Sequence, residues 1–217
     1  MRVLFATTAD VGHFGPVVPF ARACAAAGHD VGVCAPVSFA GAVERAGFRH
    51  LPVGEPEPAE IGSIMARVPE LSMEEANRVV VRDVSAGVDA RAALPGVEAA
   101  VREFKPDVVA REMAEFASFV VARRWEVPQV EIAVGPAETD VAACALLDDA
   151  LARLGCPDDA ELLTRPLLTS VPESLDATDG LPARPIHRFR YEPPPATARG
   201  LPEWPDSDAP TTPRRPT

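Results

Sequence analysis

The fold is decided by the first 36 residues, Met1–Pro36, which read MRVLFATTADVGHFGPVVPFARACAAAGHDVGVCAP. A short run of apolar and β-branched residues, Val3–Thr7, predicts a strand, and Val31–Ala35 predicts a second strand. Between them, apolar residues recur at intervals of three and four from Pro16 onwards, which predicts a helix with one buried face. The order strand, helix, strand is the unit from which parallel sheets are built.

The segment between the first strand and this helix is the first candidate for a functional loop. We expect Ala9–Gly15 to form the loop, Pro16 to open the helix, and Gly28 to end it, because proline suits the first helical turn and glycine the position after the last. The loop places His13 between two glycines, which allow a ligand to approach the backbone closely. A nearby helix N-terminus favours a neutral imidazole, which can accept a proton. The alternative is a histidine that only caps or packs.

The alternation of strands and helices continues along the chain and sets the fold class. The predicted strands that follow are Arg49–Val53, Val108–Arg111 and Gln129–Val134. The predicted helices are Phe39–Ala46, Met73–Phe104 with interruptions near Gly87 and Leu94–Gly96, Phe116–Trp125, and Asp140–Leu154, whereas residues 54–70 are predicted as loop. This pattern predicts an α/β fold with a doubly wound, mostly parallel, Rossmann-like sheet. Working groups are then expected beyond the carboxyl ends of the strands, in Ala9–Pro16, Glu112–Ala114 and Gly135–Ala137.

Composition narrows the classes of protein that remain. The 217 residues include 47% hydrophobic residues, which is enough for a core, and a formal net charge of −11 from 21 basic and 32 acidic residues. This acidic balance argues against nucleic acid or an anionic membrane as the main partner. We find no apolar run long enough to span a membrane and no secretory signal. The four cysteines form no C-x-x-C pair, and we expect free thiols in a reducing cytoplasm.

Glu112 follows the predicted fourth strand and is the candidate acid beside His13. A carboxylate beside a histidine fixes the tautomer of the ring and stabilises the imidazolium formed when the ring takes a proton. Two alternatives stay open: Glu112 is an exposed strand-end acid paired with Arg111, or Asp10 is the partner of His13. Asp107 precedes the strand, so it should lie at the opposite edge of the sheet.

Several motifs of known enzymes are absent from the sequence. It has no G-x-S-x-G elbow, no Walker-type phosphate loop, no H-E-x-x-H zinc motif and no G-x-G-x-x-G fingerprint. The stretch from Glu55 to Glu75 holds six glutamates and one arginine, Arg67. It is either a solvated acidic surface or a loop that faces a substrate.

Three blocks of the sequence occur in an order that is known from one family of proteins. The first block is Met1–Pro36. The second is Pro106–Glu112 followed by Ala122–Pro128, and the third is Arg188–Tyr191 with Leu201–Trp204. Together these blocks resemble the N-terminal domain of GT-B glycosyltransferases of family 1, in particular the bacterial enzymes that glycosylate natural products such as antibiotics. The resemblance spans roughly residues 1–204 and implies the N-terminal, acceptor-binding half of a GT-B fold.

The resemblance implies an inverting sugar transfer. His13 would deprotonate an acceptor hydroxyl, and Glu112, at a position where the family usually has Asp, would support His13. Substrate contacts are expected from Gly12, Phe14, Gly15 and Gly135. The co-substrate would be a nucleoside-diphosphate sugar, and neither a metal nor another cofactor is expected. The acceptor would be a small hydrophobic molecule with a hydroxyl group, bound partly by the region matching residues 54–100.

The resemblance also implies a domain organisation. Residues 1–191 would form the acceptor-binding domain, and residues 192–217, which hold eight of the 24 prolines, would be an interdomain linker. No segment resembles the C-terminal donor-binding domain, so we expect that domain or a partner chain to be required and the chain alone to be inactive. Two alternatives stay open: a stand-alone, non-catalytic module that binds small molecules or assists a transferase, and an unrelated doubly wound nucleotide-binding protein.

Overall fold

The computed structural model describes residues 1–147, 149–156, 162–176 and 184–190. In these residues seven strands form one sheet in which every neighbouring pair is parallel. The strands are β1 (Arg2–Ala6), β2 (Asp30–Pro36), β3 (Arg49–Val53), β4 (Val108–Glu112), β5 (Gln129–Ile132), β6 (Leu167–Thr169) and β7 (Ile186–Arg188). Their order across the sheet is β3-β2-β1-β4-β5-β6-β7.

Helices connect most of these strands. They are α1 (Val11–Ala26), α2 (Ala40–Arg45), α3 (Pro58–Met65), α4 (Met73–Arg78), α5 (Ala90–Phe104), α6 (Ala117–Arg124), α7 (Ala137–Cys144) and α8 (Ala150–Arg153). A π-helical segment, Val79–Asp89, joins α4 to α5, so that residues 73–104 form one helical run. Four short 3₁₀ turns complete the described structure, at Val37–Phe39, Val68–Glu70, Leu162–Thr164 and Glu173–Leu175.

The strand order reverses direction at β1, which confirms the predicted doubly wound α/β sheet. The chain moves outward from β1 to β2 and β3, and then returns to add β4 on the other side of β1, with Val3 opposite Val108. In sheets of this type ligands bind beyond the carboxyl ends of the strands on either side of the reversal. The segments after β1 and β4 therefore meet where a site is expected.

Both faces of the sheet are covered by helices, and alternate residues of each strand face opposite sides. Val3 and Phe5 of β1 belong to the hydrophobic cluster that includes Phe14 and Val17 of α1. Leu4 and Ala6 face the other way and belong to the larger cluster; its helical members include Val97, Val101 and Phe104 of α5 and Phe119 and Val120 of α6. Burial on both faces explains why the strands read as continuous apolar runs.

The predicted loop Ala9–Gly15 is wrong in the structure, because α1 begins at Val11, five residues before Pro16. Asp10 starts the helix early: its backbone is extended and its side chain accepts a hydrogen bond of 2.6 Å from the backbone N–H of Gly12. An aspartate in this position satisfies one of the unpaired N–H groups of the first turn. Pro16 lies inside the helix, where it removes one helical hydrogen bond. The predicted end at Gly28 is confirmed by its positive φ of 81°.

Two other proline-containing segments were also predicted wrongly. Residues 54–70 contain α3, whose first residue is Pro58, a position where proline loses no hydrogen bond. The predicted interruption at Leu94–Gly96 does not occur, since Pro95 lies within α5.

A further difference concerns the predicted helix Asp140–Leu154, which is instead the two short helices α7 and α8.

Some predictions fall outside the described residues. Tyr191 and the predicted linker 192–217 lie beyond them, so the proposed domain boundary stays a prediction. In the described ranges none of the four cysteines forms a disulfide bond. Within those ranges no helix is both long and apolar enough to cross a bilayer, and no group of three or more metal-binding side chains converges.

The contact between α5 and β3 generates a stability prediction. A Cβ atom on Gly96 would lie 2.7 Å from the Cα atom of Val53, and because that neighbour is backbone it cannot move cheaply. We expect Gly96→Ala to lower the free energy of unfolding in urea by about 1–3 kcal/mol. The control is Gly62→Ala in α3, where a Cβ atom would meet nothing within 4 Å, and which should raise stability by about 0.5–1 kcal/mol. Equal effects from the two substitutions would show that the close approach of α5 to β3 does not require glycine at position 96.

Candidate active site

A cavity of about 860 Å³ opens beyond the carboxyl ends of β1, β2 and β3. Its walls come from the turns after β1 and β4, from the segment that follows β3, and from the π-helical segment and α5. Most of the lining is apolar; apolar members include Val53, Ile61, Ala93, Val97 and Phe116. This volume and character suit a small organic molecule.

His13 lies in the first turn of α1 and lines this cavity. The start of α1 fixes the position of the histidine, because Asp10 caps the helix three residues earlier. The side chain of His13 is 32% exposed, so it is held by the protein and still reachable by a ligand.

Glu112 is the last residue of β4 and is fully buried. One carboxylate oxygen, Oε2, accepts a hydrogen bond of 2.8 Å from Nδ1 of His13 and one of 2.7 Å from the backbone N–H of Ala114. The other, Oε1, accepts one of 3.1 Å from the backbone N–H of Thr8. The alternative of an exposed acid paired with Arg111 is therefore wrong.

The hydrogen bond to Glu112 fixes the tautomer of His13. A carboxylate can only accept hydrogen bonds, so Nδ1 of the ring carries a proton. In the neutral ring, Nε2 then has a free lone pair. Within the described residues no hydrogen bond to Nε2 is found, so this lone pair is available to a ligand in the cavity.

Glu112 also changes the pKa of His13. The hydrogen bond and the negative charge of Glu112 raise the pKa of His13, and they outweigh the opposing effect of burial. The sequence predicted that the helix N-terminus favours the neutral ring, whereas the close carboxylate of Glu112 raises the pKa of His13. Because the pKa is raised on folding, the pair stabilises the fold fully below the ordinary pKa of about 6.5 and loses this contribution as pH rises through the raised value.

The two rival acids have other partners. The side chain of Asp10 caps α1, and its charge makes only the smallest contribution to the raised pKa of His13. Asp107 accepts a hydrogen bond of 2.7 Å from the backbone N–H of Arg2, at the opposite edge of the sheet, as its position before β4 predicted. Glu112 is therefore the acid that contacts His13.

The structure does not bring the predicted substrate contacts into the cavity wall. Gly12, Phe14, Gly15 and Gly135 are not among its lining residues. Phe14 is buried and packs edge-on against Phe39, with ring centroids 5.6 Å apart. Contact of these four residues with a substrate stays a prediction.

Other residues of the site were not predicted from the sequence. Thr8 donates to Glu112, and Ser85, Asp89 and Glu115 line the cavity. Burial raises the pKa of Glu115, although its carboxylate accepts hydrogen bonds from the backbone N–H and the hydroxyl of Ser118. The sequence signal for Glu115 was its place just after the fourth strand. Ser85 and Asp89 carry no such signal, because their positions depend on the π-helical geometry.

The coupling between His13 and Glu112 can be measured directly. We expect the pKa of His13 in the 217-residue chain to lie above 6.5 and to fall in Glu112→Gln, because the amide keeps a hydrogen-bonding group but loses the charge. Titration of the His13 ring protons by NMR gives both values. Asp10→Asn, which keeps a capping side chain, should produce a smaller fall. A pKa of His13 that is unchanged in Glu112→Gln would contradict the assignment of Glu112.

Comparison with known proteins places this geometry in a wider context. No protein-family model matches the chain. The chain is 32% identical to the L-demethylnoviosyl transferase of Streptomyces niveus over 220 residues, covering 99% of this chain and 55% of that protein. The chain therefore spans about half the length of this curated relative.

Solved structures show the same relation. The glycosyltransferase SsfS6 of Streptomyces sp. SF2575, in complex with thymidine diphosphate, matches with a TM-score of 0.67 and 23% identity over 89% of this chain and 53% of that one. The glycosyltransferase SnogD of Streptomyces nogalater matches with a TM-score of 0.65 and 24% identity over 96% of this chain and 56% of that one. In sequence the chain is thus similar to about half of the L-demethylnoviosyl transferase, and in fold it is similar to about half of each of these glycosyltransferases.

Proposed function

We propose that this chain is the acceptor-binding half of an inverting glycosyltransferase that transfers a sugar from a nucleoside-diphosphate sugar to a hydroxyl group of a small natural product. The observation that carries the proposal is the contact between His13 and the buried carboxylate of Glu112 at the wall of the cavity. A histidine whose tautomer is fixed by a buried acid is suited to take a proton from a hydroxyl group.

The proposed step balances without an oxidant or a reductant. Nε2 of His13 takes the proton of the acceptor hydroxyl while the hydroxyl oxygen forms a bond to the anomeric carbon of the sugar. The bond between that carbon and the diphosphate oxygen breaks on the opposite face, and the diphosphate leaves with the electron pair. Glu112 stabilises the imidazolium that results, because its carboxylate accepts the hydrogen bond from Nδ1.

The cavity supports an acceptor that is mainly hydrophobic. Its volume of about 860 Å³ and its apolar lining suit a small polycyclic or aromatic molecule. An acceptor hydroxyl placed beside His13 would lie at the carboxyl edge of β1 and β4, which is where parallel sheets of this type present their reacting groups.

We infer the class of the donor from a relative. The structure of SsfS6 contains thymidine diphosphate, which supports a nucleoside-diphosphate sugar as the donor here. Since the chain spans about half the length of its relatives, we propose that donor binding depends on the part of those proteins that these residues do not match.

We also propose, as the sequence predicted, that the protein acts in the cytoplasm.

The same pair of residues favours transfer over a purely binding module. A module that only holds a small molecule needs no buried acid aligned with a histidine, and burying a carboxylate costs free energy unless donors surround it. Glu112 is fully buried and is surrounded by three donors, one of which is the ring of His13.

The role of His13 is tested by joining this chain to the part of the L-demethylnoviosyl transferase that it does not match. We expect His13→Ala to lower the turnover of such a complete enzyme about 10²- to 10⁴-fold, the usual contribution of a general base. Turnover is measured as release of thymidine diphosphate from its sugar conjugate with hydroxylated aromatic acceptors. Asp10→Asn is the matched control and should keep most of the activity. An unchanged rate in His13→Ala would reject the assignment.

The dependence on a donor-binding half is tested with the 217-residue chain by itself. We expect negligible sugar transfer from any nucleoside-diphosphate sugar, measured in the same assay. Ordinary turnover by the isolated chain would show that this part of the proposal is wrong, while leaving the role of His13 open to its own test.

A further inference from the structure

The π-helical segment Val79–Asp89 contributes two polar side chains, Ser85 and Asp89, to the cavity that His13 also lines. Segments of π-helix are rare, and they often occur at functional sites because they reposition side chains relative to an α-helix. Ser85 and Asp89 are four residues apart, which is close to one turn of such a helix. They therefore lie on the same side of the segment and face the same cavity.

Asp89 differs from most of the other carboxyl groups of the cavity because its side chain has no partner among the described residues. In the described ranges its side chain has no hydrogen bond and no ion pair, and the same holds for the hydroxyl of Ser85. By contrast, Asp10 caps α1, Glu55 accepts a hydrogen bond of 2.6 Å from Ser38, and Glu115 is bonded to Ser118. Glu57 also lacks a protein partner within those ranges, but its side chain is exposed to water.

Holding the carboxylate of Asp89 in its partly buried position costs free energy when no group donates a hydrogen bond to it. Asp89 is partly buried, and burial alone raises its pKa to about 6. A carboxylate in this position gains from any group that donates a hydrogen bond to it or carries a positive charge. A ligand that places such a group beside Asp89 is therefore stabilised in this cavity.

The charge of the cavity lining indicates which group this is. Among the described lining residues, the charged side chains other than His13 are acidic, namely Asp10, Glu55, Glu57, Asp89 and Glu115. The lining includes no arginine and no lysine in the described part of the chain. Such a surface attracts a cation and disfavours an anion.

We propose that Asp89 is a specificity residue that binds a positively charged amino group of the acceptor, with the hydroxyl of Ser85 as a second hydrogen-bonding group. The acceptor class is thus a hydrophobic molecule that carries an amine in addition to the hydroxyl that His13 deprotonates. That the bound molecule is the acceptor rests on the proposed function. The binding of an amine at Asp89 does not depend on sugar transfer.

The test uses three probes of the same shape with the 217-residue chain: naphthylmethylamine, naphthalenemethanol and naphthoic acid. Affinities are measured at neutral pH by NMR titration, which also reports whether each variant is folded. We expect the amine to bind most tightly, the alcohol less tightly and the acid least. This ranking in the unmodified chain tests the proposal without any substitution.

Two substitutions locate the binding at Asp89. Asp89→Asn should weaken binding of the amine about tenfold, which is the usual effect of losing a charge-assisted hydrogen bond at a partly exposed site. The same substitution should change the affinity for the alcohol by no more than about twofold. Asp89→Glu, which keeps the charge, should keep the preference for the amine. Glu44→Gln is the control, because it removes an acid at an exposed position outside the cavity, and should change neither affinity more than about twofold.

Four results would overturn the proposal: no binding of any probe at millimolar concentration, binding of the acid as tight as that of the amine, equal weakening of amine and alcohol in Asp89→Asn, or an amine affinity that Asp89→Asn leaves unchanged. Equal weakening would show that Asp89 recognises a neutral donor instead of a charge. None of these measurements involves a sugar donor, so their failure is distinct from a failure of sugar transfer.

Discussion

A buried carboxylate must be surrounded by hydrogen-bond donors, and Glu112 obtains its donors from three separate parts of the chain. The backbone of Thr8 comes from the segment after β1, the ring of His13 from α1, and the backbone of Ala114 from the turn after β4. Leaving such a group without partners costs several kcal/mol, so these three segments are held together. The reversal in strand order is thereby fixed at the point where the cavity opens.

The residue before Glu112 extends this constraint to the other face of the sheet. Arg111 is also buried; it forms an ion pair with Glu131 of β5, and its guanidinium carbon lies 5.6 Å from the ring centre of Phe119. It donates hydrogen bonds to the backbone carbonyls of Glu112 and Glu115, among others, and so shapes the turn that brings Glu115 to the cavity. Two adjacent charged residues, facing opposite sides of β4, thus position the site from within the core.

The sequence predicted the fold well, because apolar periodicity and glycine positions depend on local rules. Gly28 after α1 and the buried run of β4 are of this kind. The strand-end positions of His13 and Glu112 made their pairing one of several possibilities, and the resemblance favoured it over the alternatives. The helical cap of Asp10 was missed, because the glycines and Pro16 that follow it resemble a loop. The exposure of Asp89 to the cavity was not predictable, because it depends on a π-helix that no local pattern distinguishes from an α-helix.

The parallel pairing of β1 with β4 has a consequence for the way in which the chain reaches this fold. Val3 lies opposite Val108, so one edge of β1 stays unpaired until about a hundred further residues have been synthesised. At a ribosomal rate of about 5–20 residues per second, that edge stays unpaired for roughly 5–20 s. A nascent chain therefore exposes an apolar strand edge for seconds, a period in which chaperones or neighbouring chains compete for it. The contact between His13 and Glu112 forms only after this period, so the candidate site assembles late in folding.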